Sequence, residues 1–370
     1  MTVSVGYLVH DLGDSAVARR IRMMAAAGAS VSLAGFSRRD PPAAVEGVPA
    51  TVLARTGDGR LVQRAAAVVE NMLRSGKARA AVGAADILLA RNLEMLAIAA
   101  RLRRPGQRLV YECLDIHRMM LGDGAQHRAM RAIEKALLRR CDLVVTSAPA
   151  FVEHYFHRLQ HHDGPIRLVE NKVLALDADD AVPRSAKQAA GPPWRIGWFG
   201  MLRCRRTLDM LSQIVRAGQG RIEVLIAGKP SPAEFTDFDA QVAAVPGMHY
   251  AGPYAPGDLP WLYGQVHFAW CVDFFEEGLN ASWLLPNRLY EGLAFGAVPV
   301  TMPGIAIADW LQAAGCGIVM EDLVAGLPPF LATLDDAGYR ALTDAVAAVP
   351  DDRLLMRRPE CDDLLEAMEG

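Results

Sequence analysis

The run Leu285-Pro286-Asn287-Arg288-Leu289-Tyr290-Glu291-Gly292-Leu293-Ala294-Phe295-Gly296-Ala297-Val298-Pro299-Val300 sets a cation and a carboxylate three residues apart. On an α-helix Arg288 and Glu291 share one face, with Asn287 one residue nearer the start. A guanidinium and backbone amides at a helix N-terminus suit a diphosphate. A carboxylate one turn further on suits the two hydroxyls of a ribose. Gly296 predicts a left-handed C-cap, with a strand beginning at Val298.

Other residues point to related chemistry. Gly200-Met201-Leu202-Arg203-Cys204-Arg205-Arg206-Thr207-Leu208-Asp209 puts three arginines just ahead of a helix, where guanidinium forks and amide donors meet phosphate oxygens. A solvated basic turn is the plainer reading. The loop Asp273 to Ser282 follows an apolar strand, and its Glu277, Asn280 and Ser282 are candidates for sugar hydroxyls. In the first half, Leu109-Val110-Tyr111-Glu112 runs into Cys113-Leu114-Asp115-Ile116-His117-Arg118. Activation of a hydroxyl needs a carboxylate or imidazole at such a strand end, and Asp115 ranks above His117 and Glu112 as that base. Glu112 can instead pair with an arginine, and His117 can cap the next turn. His10-Asp11-Leu12-Gly13-Asp14-Ser15 follows the first strand, with Arg19 and Arg20 beyond it. Asp11 can meet a hydroxyl and Arg19 or Arg20 an anion, while Asp14 or Ser15 caps the helix. No G-x-G-x-x-G run is present, which argues against a dinucleotide oxidoreductase.

Alternating apolar strands and periodic helices position these groups. Strands are expected at 3–9, 31–36, 86–90, 108–112, 143–147 and 166–170, with helices at 11–27, 60–74, 93–103 and 126–140 between them. A polar, alanine-rich stretch ending in Pro192-Pro193 reads as an interdomain linker over 176–193. Strands at 194–199, 222–227, 248–250, 268–271 and 298–301, with a helix at 208–217, restart the pattern. The expected fold class is α/β, with two Rossmann-like doubly wound domains, 1–175 and 194–334, followed by helices over 335–370.

Composition sets outer limits. The 370 residues are 52% hydrophobic, enough for two α/β cores. Cys113, Cys141, Cys204, Cys271, Cys316 and Cys361 are scattered without CxxC spacing, which suggests neither a zinc site nor a disulfide framework. No apolar run approaches membrane-spanning length and no leader pattern opens the chain, so a cytoplasmic, soluble or peripheral protein is expected. The net charge of -3 hides an asymmetry: residues 1–172 carry 25 Lys and Arg against 16 Asp and Glu, and the remainder 14 against 26. A basic first half suits an anionic membrane face or a lipid diphosphate, and also fits ordinary helix C-terminal turns. Nothing points to nucleic acid.

The Leu285–Val300 run resembles the donor-site signature of GT-B glycosyltransferases, especially family 4, whose pattern is roughly P-x-K-x-x-E-x-x-A-x-G-x-P-V. The resemblance implies two domains facing across a cleft, the last helix returning to the first domain, and Glu291 on the donor ribose. Trp283 stands where the fuller signature has a further carboxylate. Against G-R-L-x-x-x-K-G, Arg206 falls on the lysine and Met201 on the arginine, with Arg203 or Arg205 as compensating phosphate cations. Gly228 in Ala227-Gly228-Lys229 falls at a strand end near the nucleotide base. In the first domain His10, Asp11 and Arg19 fall where the acceptor is met. VHDLGDSAVARR, LVYECLDIHR and WLLPNRLYEG together look most like bacterial exopolysaccharide glycosyltransferases of the succinoglycan-biosynthesis type. The implied activity moves a sugar from a nucleotide diphosphate donor, UDP-linked, to a lipid-linked or polysaccharide acceptor, without an obligatory cofactor or metal. The alternatives are a non-hydrolysing nucleotide-sugar epimerase and an inactive GT-B-like scaffold.

Overall fold

The structure, a computed structural model, describes residues 2–57, 61–176, 188–275 and 277–370. The chain divides into two compact units, Met1–Glu170 with Arg357–Gly370, and Asn171–Met356.

The first unit is built on strands β1 (Ser4–Val9), β2 (Ser30–Ser37), β3 (Ala44–Val45), β4 (Val48–Arg55), β5 (Ile87–Arg91), β6 (Arg108–Cys113), β7 (Leu143–Thr146) and β8 (Ile166–Leu168). They lie in the order β3-β4-β2-β1-β5-β6-β7-β8. All neighbours are parallel except the antiparallel pair of β3 and β4. Helices α1 (Ser15–Ala26), α2 (Leu61–Leu73), α3 (Gly76–Val82), α4 (Asn92–Leu102) and α5 (Ala125–Leu138) lie between the strands, and a wider helical segment, Phe151–Leu159, connects β7 to β8. Helices on both faces explain why central strands read as unbroken apolar runs; every residue of β5 is buried.

The second unit carries β9 (Val173–Leu174), β10 (Trp194–Leu202), β11 (Ile222–Pro230), β12 (Met248–Tyr250), β13 (Phe268–Trp270), β14 (Val298–Thr301), β15 (Ile318–Val319) and β16 (Leu355–Met356). Its main sheet runs β12-β11-β10-β13-β14-β15, all parallel. Between the strands come α6 (Arg205–Ala217), α7 (Phe238–Ala243), α8 (Leu259–Gly264), α9 (Asn287–Ala294), α10 (Ala306–Ala314), α11 (Leu323–Thr333) and α12 (Asp336–Ala347). The buried side chains of Trp194, Trp198, Phe268, Trp270, Leu289 and Tyr290 form the centre of its core.

The unit boundary differs from the expected one at 175. β9 pairs with β16, with Val173 N–H donating to Leu354 O at 2.9 Å and Ala175 N–H to Met356 O at 2.9 Å. The strand pairing claims these residues for the second unit, so the expected linker 176–193 begins inside it. Residues 177–187 of that linker lie outside the described ones. Of the stretch 335–370, α12 and β16 belong to the second unit and only Arg357–Gly370 to the first. There α13 (Arg358–Glu369) buries Cys361, Leu364, Leu365 and Met368. Arg358 donates to Ala26 O at 3.2 Å and Arg108 to Met368 O at 3.1 Å.

Candidate active site

In doubly wound sheets, ligands are met outside the carboxyl ends of the strands where the order reverses. In the second unit that point lies between β10 and β13, and the loops after these two strands hold the arginine cluster. Arg203 leaves the end of β10, and Arg206 lies in the first turn of α6. Asp273 follows β13, and its Oδ2 lies 3.2 Å from Arg288 Nη2 and 3.9 Å from Arg203 Nε. Arg206 Nη1 donates to both carboxylate oxygens of Glu277, at 3.0 and 2.8 Å. Arg206 stacks over the Phe274 ring at 3.8 Å and Arg203 over Phe275 at 4.1 Å. Three guanidiniums thus converge on one loop, and two of their N–H groups, Arg203 Nε and Arg288 Nη1, are buried without a hydrogen-bond partner among the described residues. Buried donors left open in a cationic cluster mark a seat for an anion.

Arg205 does not join them. It donates to Gln241 Oε1 at 3.2 Å and to Glu234 O, and lies over Phe235, on the α7 side of the unit. The expected third phosphate cation after β10 is therefore spent on local structure, and Arg288 takes its place in the cluster.

Pro286 caps α9 in extended conformation, so Asn287 and Arg288 open the helix, and Gly296 follows with φ 82°. Asn287 is exposed and Arg288 half-buried. Glu291 accepts a hydrogen bond from Tyr263 Oη at 3.2 Å. Burial, then the charge of Glu291, pushes the phenols of Tyr263 and Tyr254 above their ordinary range, with Arg288 opposing. Tyr254 and Asp273 stand beside these residues and were not singled out by sequence as site residues. Asn280 is buried and Ser282 half-buried, flanking and within the tight turn Ala281–Trp283 that leads to α9.

Gly228 has a structural reason to be glycine. It pairs with Gly200 across β10 and β11 at φ 140°, and a Cβ there would stand 1.8 Å from Gly200 O. Only residues without side chains allow the two strand ends to approach this closely.

In the first unit the order reverses between β1 and β5. The loop after β1 brings His10 and Asp14 to Arg91 at the end of β5. Asp14 caps α1 by accepting from Ala16 N–H at 2.9 Å and pairs with Arg91 at 3.2 Å. Burial would raise the Asp14 carboxyl, but Arg91 and His10 outweigh it and hold it below its usual range. Burial first, then Arg91, drives the His10 imidazole down to about 3, so it is neutral at pH 7, and its Nδ1 has no hydrogen-bond partner among the described residues. Asp11 accepts from Gly13 N–H at 3.1 Å and lies 3.6 Å from Arg38. Arg19 is half-buried on α1.

Glu112 sits beneath this loop cluster and is fully enclosed. Its carboxylate accepts from Arg20 Nε at 2.6 Å and from Tyr7 Oη at 2.5 Å, and lies 3.5 Å from Arg91. Burial opposes its charge, but the two guanidiniums and Tyr7 hold its carboxyl below the ordinary value. With no exposed surface, Glu112 cannot meet an acceptor hydroxyl. Its candidacy as a base gives way to a structural role, and Arg20 has Glu112 as its anion. His117 caps the turn Arg118–Met120, its Nδ1 accepting from Met119 N–H at 3.2 Å. Asp115 is exposed on the same loop.

Among the described residues, no three His, Cys, Asp or Glu side chains gather as a metal-binding group. No helix of the described residues is long and apolar enough to cross a membrane.

No family profile matches the chain. In fold it is similar to sucrose-phosphate synthase from Thermosynechococcus elongatus, at 13% identity and TM-score 0.70, covering 98% of this chain and 97% of that one. It is likewise similar to trehalose 6-phosphate synthase from Burkholderia multivorans, at 11% identity and TM-score 0.66, covering 100% and 96%. HepE from Anabaena, solved in complex with UDP and glucose, matches at 12% identity and TM-score 0.64, covering 98% of each chain. These likenesses identify the fold as GT-B, two Rossmann-like domains. In sequence the chain is 42% identical over 372 residues to the succinoglycan biosynthesis protein ExoL of Rhizobium meliloti (strain 1021), covering 98% of this chain and 92% of that protein. The chain belongs to the family of the succinoglycan biosynthesis protein ExoL.

Proposed function

We propose that this chain is a glycosyltransferase of exopolysaccharide synthesis, moving a sugar from a UDP-linked donor to a lipid-linked or polysaccharide acceptor. The observation that carries the reading is the convergence of Arg203, Arg206 and Arg288 at the switch point of the second unit, with two buried N–H groups open. Such a cluster, one helical turn from Glu291, suits a diphosphate joined to a ribose. Membership of the ExoL family supports glycan synthesis over epimerisation.

In transfer, an acceptor hydroxyl oxygen bonds to the anomeric carbon while the bond from that carbon to the diphosphate oxygen breaks. The hydroxyl proton goes to a base, and the electron pair stays on the departing nucleoside diphosphate. The three guanidiniums and the amide ends of α6 and α9 meet that charge, so the reading requires no metal ion. In an inverting reaction Asp115 is the base; in a retaining one Asp115 or His117 holds the sugar or acceptor instead. Gly228, Asn280, Ser282 and Asn287 complete the donor contacts, and His10, Asp11 and Arg19 those of the acceptor. The excess of cations in residues 1–172 favours approach of the first unit to an anionic membrane face.

Calorimetry with UDP, GDP, ADP and dTDP tests the donor site. UDP is expected to bind selectively, and Glu291→Ala to weaken it by about tenfold or more, the loss of a charged hydrogen-bond acceptor. If no nucleotide binds the folded wild type, the transferase reading fails and a scaffold role takes its place. A second measurement addresses the base. Asp115→Asn should leave UDP affinity as it is while transfer falls by about two to four orders of magnitude; unchanged transfer removes Asp115 from the chemistry.

A further inference from the structure

Part of the basic cluster is already occupied by its own chain. Asp273 and Glu277 put two carboxylates on three guanidiniums, and Phe274 and Phe275 cover the flat faces of Arg206 and Arg203. Stacking occupies the faces and leaves the N–H edges, the part of a guanidinium that binds oxygen, to the carboxylates.

The two carboxylates are held differently. The pair of Arg288 and Asp273 is largely enclosed, with side chains 11% and 22% exposed, and Asp273 also faces Arg203. The pair of Arg206 and Glu277 is open to water, at 54% and 61%. Exposed ion pairs are weak and exchange readily, whereas an enclosed carboxylate leaves an uncompensated charge behind if it moves. Asp273 is therefore a fixed positioning residue for Arg288, and Glu277 is the carboxylate that yields.

We infer that Glu277 is a displaceable counter-ion on Arg206, holding the place of the donor's terminal phosphoryl group and returning when the nucleoside diphosphate leaves. The inference rests on the reading of the cluster as a diphosphate seat. Arg288 shares a helical turn with Glu291, so it serves the phosphoryl group next to the ribose. Arg203 and Arg206, both from the segment after β10, are left for the terminal one. Transfer of the sugar adds a negative charge to that terminal group and strengthens its hold on Arg206. A tethered carboxylate competing for the same guanidinium then shortens the residence of the product.

Titration calorimetry with UDP and UMP at one ionic strength tests this on wild type, Glu277→Gln and Glu277→Asp. Glu277→Gln should bind UDP about fivefold more tightly, the factor that one exposed ion pair commands. UMP, which lacks the terminal group, should bind wild type and variant alike, and Glu277→Asp should stay near wild type for both. UDP binding that does not tighten overturns the inference, as does equal tightening of UMP. Unchanged UDP affinity with weaker UDP-sugar binding also overturns it, and assigns Glu277 to the sugar. Wild type that binds neither nucleotide overturns the diphosphate seat itself, and the inference with it.

Discussion

Arg288→Ala is expected to lower UDP affinity by about 100-fold, the loss of charge-assisted hydrogen bonds from one guanidinium. Arg288 is the most enclosed cation of the cluster, its Nη2 on Asp273 and its Nη1 buried without an acceptor among the described residues. Its removal takes away the donors that the proposed diphosphate would meet and leaves Arg203, at 3.9 Å, as the guanidinium facing Asp273. The carboxylate then adds repulsion toward any incoming phosphate. Arg288→Lys should recover only part of the loss, because an ammonium supplies charge without the planar fork. Calorimetry on the two variants separates these contributions, and wild-type affinity in Arg288→Ala would move the diphosphate away from α9.

The largest effect on stability is expected at Glu112. Glu112→Ala strands Arg20 in the interior beside Tyr7 and leaves Arg91 with Asp14 as its carboxylate partner, and a broken buried ion network of this kind costs about 3–5 kcal/mol. Urea unfolding followed by amide exchange reads the loss unit by unit, since two compact units need not unfold in one step. Protection should fall in β1, β5 and β6, while UDP affinity, assigned to the other unit by the proposed function, serves as the control. The pH dependence has a definite sign. The folded carboxyl lies below its unfolded value, so the stabilisation is present above the unfolded value and is lost as pH falls through the folded one. Wild type should therefore lose first-unit protection in acid, and Glu112→Ala should show a shallower acid slope. A variant as stable as wild type would show that Glu112 is not what holds the two arginines.

Much of the architecture is written locally. Buried parallel strands read as apolar runs, and α9 begins after Pro286 and stops before Gly296, so its span and its cation-carboxylate face are legible residue by residue. The two-residue β3 and the seven-residue α3 are too short to carry a periodic signal, and β4, which pairs with β3, was not anticipated either. Partnerships between distant residues are where sequence reading stops. Glu112 ends an apolar strand, as a catalytic carboxylate would, but Tyr7 and Arg20 reach it from 105 and 92 positions away. Arg205 and Arg206 are adjacent and chemically alike, and helix phase alone sends one to α7 and the other to the cluster. Asp273 is an ordinary loop acid until β13 places it between two arginines. Arg91 had one sequence signal, a cation closing a wholly apolar strand beside the point where the strand order reverses.

The division of the chain also bears on its synthesis. A polypeptide leaves the ribosome N-terminus first, yet the first unit needs Arg357–Gly370, whose apolar face packs beside α1 and β6. The whole second unit is threaded between the two parts. During translation the nascent first unit carries an uncovered seam, and the second unit, Asn171–Met356, can close before its neighbour does. The half of the protein that is made first is the half that is finished last.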